Sequence, residues 1–394
     1  MSFLLKTTSS RFVFILLLLT AAACNNNNKN ETPVPADTYI IPPAGFVSEV
    51  DSINYGNAVQ AFYDTTLLKR GFNGAMLVAK NGKIIFEKYN GFYHLEKKDT
   101  LTEHSAFHLA SVSKTFTAMA ILKLVEQGKL QLDDNINTFF PGFPYNDITL
   151  RTLLNHRSGL PNYLYFMETL GWDKKTFCTN KDVLNYLMNF QPPMAYLPNR
   201  HFNYCNTNYT LLALIIEKIS GKTYASFLKD IFFTPLKMQD TYVFSLADTS
   251  TAMPSYNWKG QREVYTHLDA AYGDKNIYST ARDLLKWDQA LYNNQLFTKK
   301  TIEEAFTPYS NERPGIKNYG FGWRMNIYPN GKKMIFHGGW WHGNNTMLMR
   351  LIEDSVTIII LGNRFNRNVY KAKDMANVFS TYFETDEEEN DSIK

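Results

Sequence analysis

The sequence predicts an α/β fold in which a helical region is set into a sheet, and three features of its hydrophobic pattern carry that prediction. Strand-like runs occur early, at 74–79 and 83–89, and again late, at 334–336, 346–351 and 356–361. Between them, from about 130 to 300, the chain reads mostly as helix and loop. A sheet opened by the first strands can then be completed only by the last ones. The helical stretch becomes an insertion, with a cleft along its boundary.

Taken in order, each element has a local reason. The first two strands form a hairpin because Asn81-Gly82 supplies two residues that tolerate the positive φ of a tight turn. An outer strand candidate lies just before Ser111. From 112 to 126 the apolar positions wrap nearly all round, which marks a buried helix, and Gly128 supplies its stop. The polar loop Phe202-Asn203-Tyr204-Cys205-Asn206-Thr207-Asn208-Tyr209 runs straight into the apolar helix pattern of 211–217. Residues 223–233 have the pattern of an amphipathic helix, and the three late runs return to strand character and complete the sheet begun near Gly74. No internal repeat is evident.

Chemistry-bearing residues gather at the start of the buried helix, in Ser111-Val112-Ser113-Lys114. Residues three apart share a helix face, so Lys114 can reach the Ser111 hydroxyl. A serine hydroxyl is a weak nucleophile that needs a nearby base and donors for the oxyanion formed on the attacked carbonyl. A lysine serves as that base only where burial or neighbouring positive charge favours its neutral form. Further along stand Tyr204-Cys205-Asn206 and His337-Gly338-Gly339, and the three motifs in this order read as a serine acyl-transfer site. Ser226-Phe227-Leu228-Lys229 repeats the first spacing, but its lysine falls on the water side of an amphipathic helix and it follows the Tyr motif, so it is a decoy. Tyr-x-Asn also recurs at Tyr55, Tyr292, Tyr309 and Tyr328; the flanking residues single out Tyr204.

With these residues the chain resembles the serine beta-lactamase and penicillin-recognising family, in the branch of class C beta-lactamases, D-Ala-D-Ala carboxypeptidases and related esterases. The resemblance runs from about Phe72 to about Asn363 and takes in 148–161 and 278–284, stretches with no catalytic role. It implies a beta-lactamase/transpeptidase-like fold, an antiparallel sheet flanked by helices with an inserted helical region, filling residues 51–383. It also implies roles. Ser111 is the nucleophile, and Lys114 with Tyr204 shares the base work, the division between them left open. Asn206 orients Lys114 and contacts substrate. The third motif lies on an edge strand, with His337 facing the pocket, Gly338 and Gly339 admitting substrate to the backbone, and the N–H groups of Ser111 and Trp340 forming the oxyanion hole. No cofactor and no metal are implied.

Two departures bear on substrate. Many beta-lactamases carry Lys-Thr-Gly where this chain has His-Gly-Gly, so a fixed positive charge is lost and turnover of beta-lactams is put in doubt. Cys205 stands where Ser is common and reads as a small buried spacer. The leading function is a cell-envelope serine hydrolase acting on D-amino-acid peptides or esters; the alternatives are a true beta-lactamase and a non-catalytic envelope binding protein. An intact nucleophile and base argue against the last. Gly-x-Ser-x-Gly is absent, which removes the α/β-hydrolase class.

The N-terminus carries an address. Lys6 and Arg11 precede an apolar run at 12–19, and Ala21-Ala22-Ala23 leads to Cys24, so 1–23 reads as a lipoprotein-type export signal and Cys24 as a lipidated anchor to the membrane; ordinary signal cleavage nearby is the alternative. Residues 24–50, with an Asn run and scattered prolines, read as a tether, and 384–394 as an acidic tail. Cys178 and Cys205 are the remaining cysteines and read as free buried thiols, with a bridge as the alternative. A composition of 44% hydrophobic and 15% aromatic residues supports a packed core rather than disorder. A net charge of +4 with lysines spread along the chain gives no support to nucleic-acid binding. His104 and His108 lack a third ligand and read as structural, while His156 and Ser158 read as packing residues of a turn. Trp340, Trp341 and His342 either shape an acyl pocket or cover the sheet edge.

Overall fold

The computed structural model describes residues 42–384. The predicted signal segment with Cys24, most of the tether and nearly all of the acidic tail lie outside the described residues. The end of the tether belongs to the fold: the Gly45 N–H bonds the Asn81 carbonyl at 2.7 Å, and helix α1 (Glu49–Phe62) starts from a Ser48 cap.

Strands β1 (Gly74–Lys80) and β2 (Lys83–Asn90) form the predicted hairpin, with φ of 51° at Asn81 and 74° at Gly82. β3 (Phe107–His108), just before Ser111, is not the outer strand of this sheet. It joins β4 (Tyr242–Val243) and β5 (Ile277–Ser279) in a separate sheet of order β3-β5-β4. The late strands are β6 (Lys317–Tyr319), β7 (Arg324–Ile327), β8 (Lys333–Trp341), β9 (Asn344–Leu351) and β10 (Val356–Gly362). They close a seven-stranded antiparallel sheet of order β2-β1-β10-β9-β8-β7-β6, in which Gly74 faces Gly362.

β8 is therefore an interior strand, which corrects the edge placement, but only for half its length. Its pairing with β7 ends at Phe336 opposite Arg324, whereas β9 continues beside it to Trp341. From His337 onward its outer side has no strand partner among the described residues.

Both faces of the central strands are covered, which explains their unbroken hydrophobicity. Met76, Val78, Ile358 and Ile360 join one cluster with Val59 and Tyr63. Ala75, Leu77, Ile359 and Leu361 alternate with them into the other, with Phe116 and Met119. Those last two belong to helix α2 (Ser113–Glu126), buried from Ser113 to Leu124, as its all-round apolar pattern requires. Gly128, at φ 68°, ends it as predicted. The inserted region carries α3 (Leu150–Leu154), α4 (Tyr163–Thr169), α5 (Asn180–Phe190), α6 (Asn206–Ser220), α7 (Tyr224–Leu228), α8 (Ala281–Ala290) and α9 (Lys299–Ala305). α2 is bound into this region by a stacked Phe116–Trp287 pair at 4.3 Å. No helix among the described residues is long and apolar enough to cross a membrane.

Candidate active site

Ser111 sits in a single 3-10 turn, Ala110–Val112, between β3 and α2. That turn is held by three contacts and costs strain. Ala110 has φ 48°, a region few residues with a Cβ adopt, and its N–H donates to His108 Nδ1 at 3.0 Å. The other ring nitrogen of His108 meets Asn276 Oδ1 at 2.9 Å. On the sheet side, the Thr346 hydroxyl of β9 donates to the Leu109 carbonyl at 2.8 Å. Gly339 lies between: a Cβ there would stand 2.3 Å from the Leu109 oxygen and 2.3 Å from Thr346 Oγ1. The glycine is needed for β8 to lie against the serine turn.

Lys114, one turn on, is fully buried; its Nζ donates to Ser111 Oγ at 3.0 Å and to the Asp274 carbonyl at 2.8 Å. The Asn206 side chain makes no hydrogen bond to it, so the Asp274 backbone, and not Asn206, fixes its direction. Two further bonds lock the same segment onto α2: Ile277 N–H to Ser113 Oγ (3.1 Å) and Thr117 Oγ1 to the Gly273 carbonyl (2.6 Å). The Lys114 Nζ stands 5.0 Å from the centre of the Tyr204 ring.

Tyr204 is held by His156. The His156 carbonyl accepts from Asn203 N–H at 2.8 Å, its Nδ1 accepts from Cys205 N–H at 3.1 Å, and its ring packs 4.3 Å from that of Tyr204. Accepting at Nδ1 requires a neutral ring, and burial pushes the His156 pKa well below 6.5, with the Lys114 and Arg324 charges adding to the effect. Ser158 supports the same loop by bonding Asn208 at 2.7 Å. The packing role read for both is what the structure has, but its object is Tyr204. The Tyr204 hydroxyl itself is buried without a hydrogen-bond partner among the described residues.

His337 is fully buried, and both ring nitrogens are engaged: Nδ1 donates to the Gly338 carbonyl at 2.8 Å and Nε2 accepts from the Tyr319 hydroxyl at 3.2 Å. Burial, then the charges of Arg324 and Lys114, holds its pKa well below the usual range. Its side chain lies inside the wall and has no free nitrogen for a ligand, unlike the pocket-facing placement expected. Gly338 backs onto Tyr370. Trp340 stays 65% exposed at the open edge, whereas Trp341 and His342 both bond Asp269, at 2.6 and 3.0 Å, and serve as cover.

The remaining candidates separate cleanly. Ser226 and Lys229 are both exposed, as a decoy should be. Cys178 and Cys205 are free and buried, burial pushing their thiols up to about 12 and about 11. His104 is exposed and paired with Asp240, and no group of side chains fit for a metal occurs among the described residues. Three contributors were missed: the Asp274 carbonyl, because a backbone group leaves no sequence signal; His156, whose target is distant in sequence; and Arg324, whose guanidinium lies 4.8 Å from the Tyr204 ring centre.

A buried amine hydrogen-bonded to a serine hydroxyl, with a phenol ring centred 5.0 Å from the amine, can relay a proton from the serine to a leaving group. The comparisons agree with that chemistry. Residues 59–383 match the family model described as Beta-lactamase. The chain is 35% identical over 329 residues to penicillin-binding protein 4* of Bacillus subtilis (strain 168), covering 79% of this chain and 73% of the relative. Among solved structures, a penicillin-binding protein from Bacillus halodurans superposes with a TM-score of 0.69 at 23% identity, covering 79% of this chain and 98% of the other. The D-amino acid amidase from Ochrobactrum anthropi SV3 complexed with D-phenylalanine gives 0.67 at 24% identity, covering 82% and 97%.

Proposed function

The chain belongs to the beta-lactamase family of serine hydrolases, and from that premise we propose that it forms an acyl-enzyme on Ser111 and acts in the cell envelope on D-amino-acid peptides or esters. One observation carries the reading: the buried Lys114 amine bonded to Ser111 Oγ at 3.0 Å. In this reading Lys114 and Tyr204 move the serine proton to the leaving group, and the Ser111 and Trp340 N–H groups receive the oxyanion. Asn206 and the open side of β8 at Gly338 and Gly339 bind substrate. The D-amino-acid preference is supported by the likeness to an enzyme named a D-amino acid amidase. A lipid anchor at Cys24 would hold the enzyme at the membrane.

The test is covalent labelling with a fluorophosphonate probe. Ser111→Ala should abolish it and Ser226→Ala should leave it intact. Labelling that persists in Ser111→Ala would place the nucleophile elsewhere. A beta-lactamase proper is the second reading, distinguished by whether the adduct formed with a penicillin clears quickly.

A further inference from the structure

Three large apolar side chains stand in water where the tether meets the fold. Phe46 is 86% exposed, Val50 67% and Ile53 54%. Val50 and Ile53, three apart in α1, share a helix face, and Phe46 stands just before the Ser48 cap. The other face of α1 is already in use: Val59 is buried, and the Tyr55 ring packs 5.0 Å from that of Phe379. α1 is therefore apolar on both sides, and its outer side is a second surface with nothing on it. No charged residue follows Asp51 in the helix, and the Asp51 carboxylate is held in the cap by the Ser48 hydroxyl at 2.7 Å.

Where the chain leads decides what covers this surface. The stretch from Cys24 to Phe46 spans at most about 75 Å even when fully extended. A surface leashed that close to a bilayer meets it at a high effective concentration, so three apolar side chains suffice to hold it there. The sheet gives the contact a direction. α1 contributes Val59 to the cluster of Met76, Val78, Ile358 and Ile360, whereas α2, which follows the Ser111 turn, packs Phe116 and Met119 against the opposite face. A bilayer against α1 lies across the sheet from the nucleophile.

We propose that Phe46, Val50 and Ile53 seat on the phospholipid surface in which Cys24 is anchored, turning α1 toward the lipid and the Ser111 cleft away from it. This rests on the reading of Cys24 as the lipidated residue. The three side chains enter the boundary between headgroups and acyl chains, where apolar burial drives the contact. Substrate then reaches Ser111 from the aqueous side and not out of the lipid.

The experiment uses the full chain purified from membranes and reconstituted on vesicles of phosphatidylethanolamine and phosphatidylglycerol. A cysteine is placed at Val50 or, as the control, at Leu197, which is as exposed at 68% and lies in the loop before Tyr204. Its modification by a membrane-impermeant maleimide is followed by peptide mass; Cys178 and Cys205 are buried and stay silent. Val50→Cys should react about 10-fold or more slowly than Leu197→Cys, and adding Phe46→Ser and Ile53→Ser should return it to the control rate. Equal rates at the two positions overturn the proposal. So does protection that survives Phe46→Ser with Ile53→Ser, that vanishes in Tyr39→Ser/Ile40→Ser/Ile41→Ser because the tether is the cover, or that fades as the protein is diluted in the vesicles because a second copy is. Intact mass separates this from the anchor reading. A native chain without lipid on Cys24 removes the anchor; the α1 surface then stands if vesicles added to that chain slow Val50→Cys in the same way, and falls if they do not.

Discussion

Gly339→Ala offers the sharpest test of how the serine turn is held. The added methyl would stand 2.3 Å from the Leu109 carbonyl oxygen, 2.3 Å from Thr346 Oγ1 and 3.0 Å from Ala110 Cβ. Ordinary contact begins near 3.4 Å, so β8 and the turn must part by about 1 Å. That parting breaks the buried Thr346 to Leu109 bond of 2.8 Å. Overpacking of this kind costs about 1–3 kcal/mol and the buried Thr346 hydroxyl left unpaired about 1–3 more, so a loss of about 2–6 kcal/mol in stability follows; the Leu109 carbonyl keeps its bond from the Val112 N–H at 3.2 Å. A 1 Å misplacement of reacting groups lowers rates about 10²-fold. The assay pairs urea unfolding with the rate of fluorophosphonate labelling. Gly338→Ala is the control: its methyl would meet the Tyr370 ring at 3.2 Å and the Thr346 carbonyl oxygen at an ordinary 3.7 Å, and its loss should be much smaller in both measurements. If Gly339→Ala labels at the native rate with an unchanged unfolding midpoint, then contact between β8 and the turn does not position Ser111.

Three other outcomes are expected. His108, His156 and His337 are buried and their pKa values are lowered, His108 to about 4, chiefly by desolvation. The unfolded chain protonates them near pH 6.5, so it binds more protons than the folded state below that pH. Stability is then fully present above 6.5 and falls as the pH drops, by about 1.4 kcal/mol per unit for each group and about 4 for the three; a urea midpoint unchanged between pH 7.5 and 5.5 would refute their neutral burial. Tyr204→Phe removes a buried hydroxyl that has no partner, so stability should hold or rise by about 1 kcal/mol while acylation falls about 10²-fold or more, and a fall in both would mark Tyr204 as structural. Cys24→Ala should shift the protein out of the membrane fraction; unchanged fractionation would remove the lipid anchor.

Where a function is written into a local pattern, the sequence reveals it. Three residues of helix suffice to bring Lys114 to Ser111, and Asn81-Gly82 suffices to turn a hairpin. β6 and β7 escaped notice because three and four residues are too few to show a period of two. The sheet that β3 joins is not legible because two residues name no partner, nor is the interior place of β8, because the register of β7 decides where its pairing stops. His156 was legible as a packing residue. That it packs Tyr204 depends on a contact between chain segments 48 positions apart, and the place of Arg324 over the same ring depends on one between segments 120 positions apart.

The pairing of Gly74 with Gly362 has a consequence for how the molecule comes to exist. β1 and β2 leave the ribosome early, but the strand that covers the other side of β1 is β10, the last strand of the sheet. Closing so long a loop must precede any reward from the central pairing, which makes folding slow and late. Until residue 362 has emerged, β1 exposes a run of apolar side chains and unsatisfied backbone, and the turn carrying Ser111 has no β9 to lean on. The nucleophile and its base, close neighbours in the chain, are thus armed only once β9 and β10 have been made, so a chain cut short before them carries the catalytic residues without the catalyst.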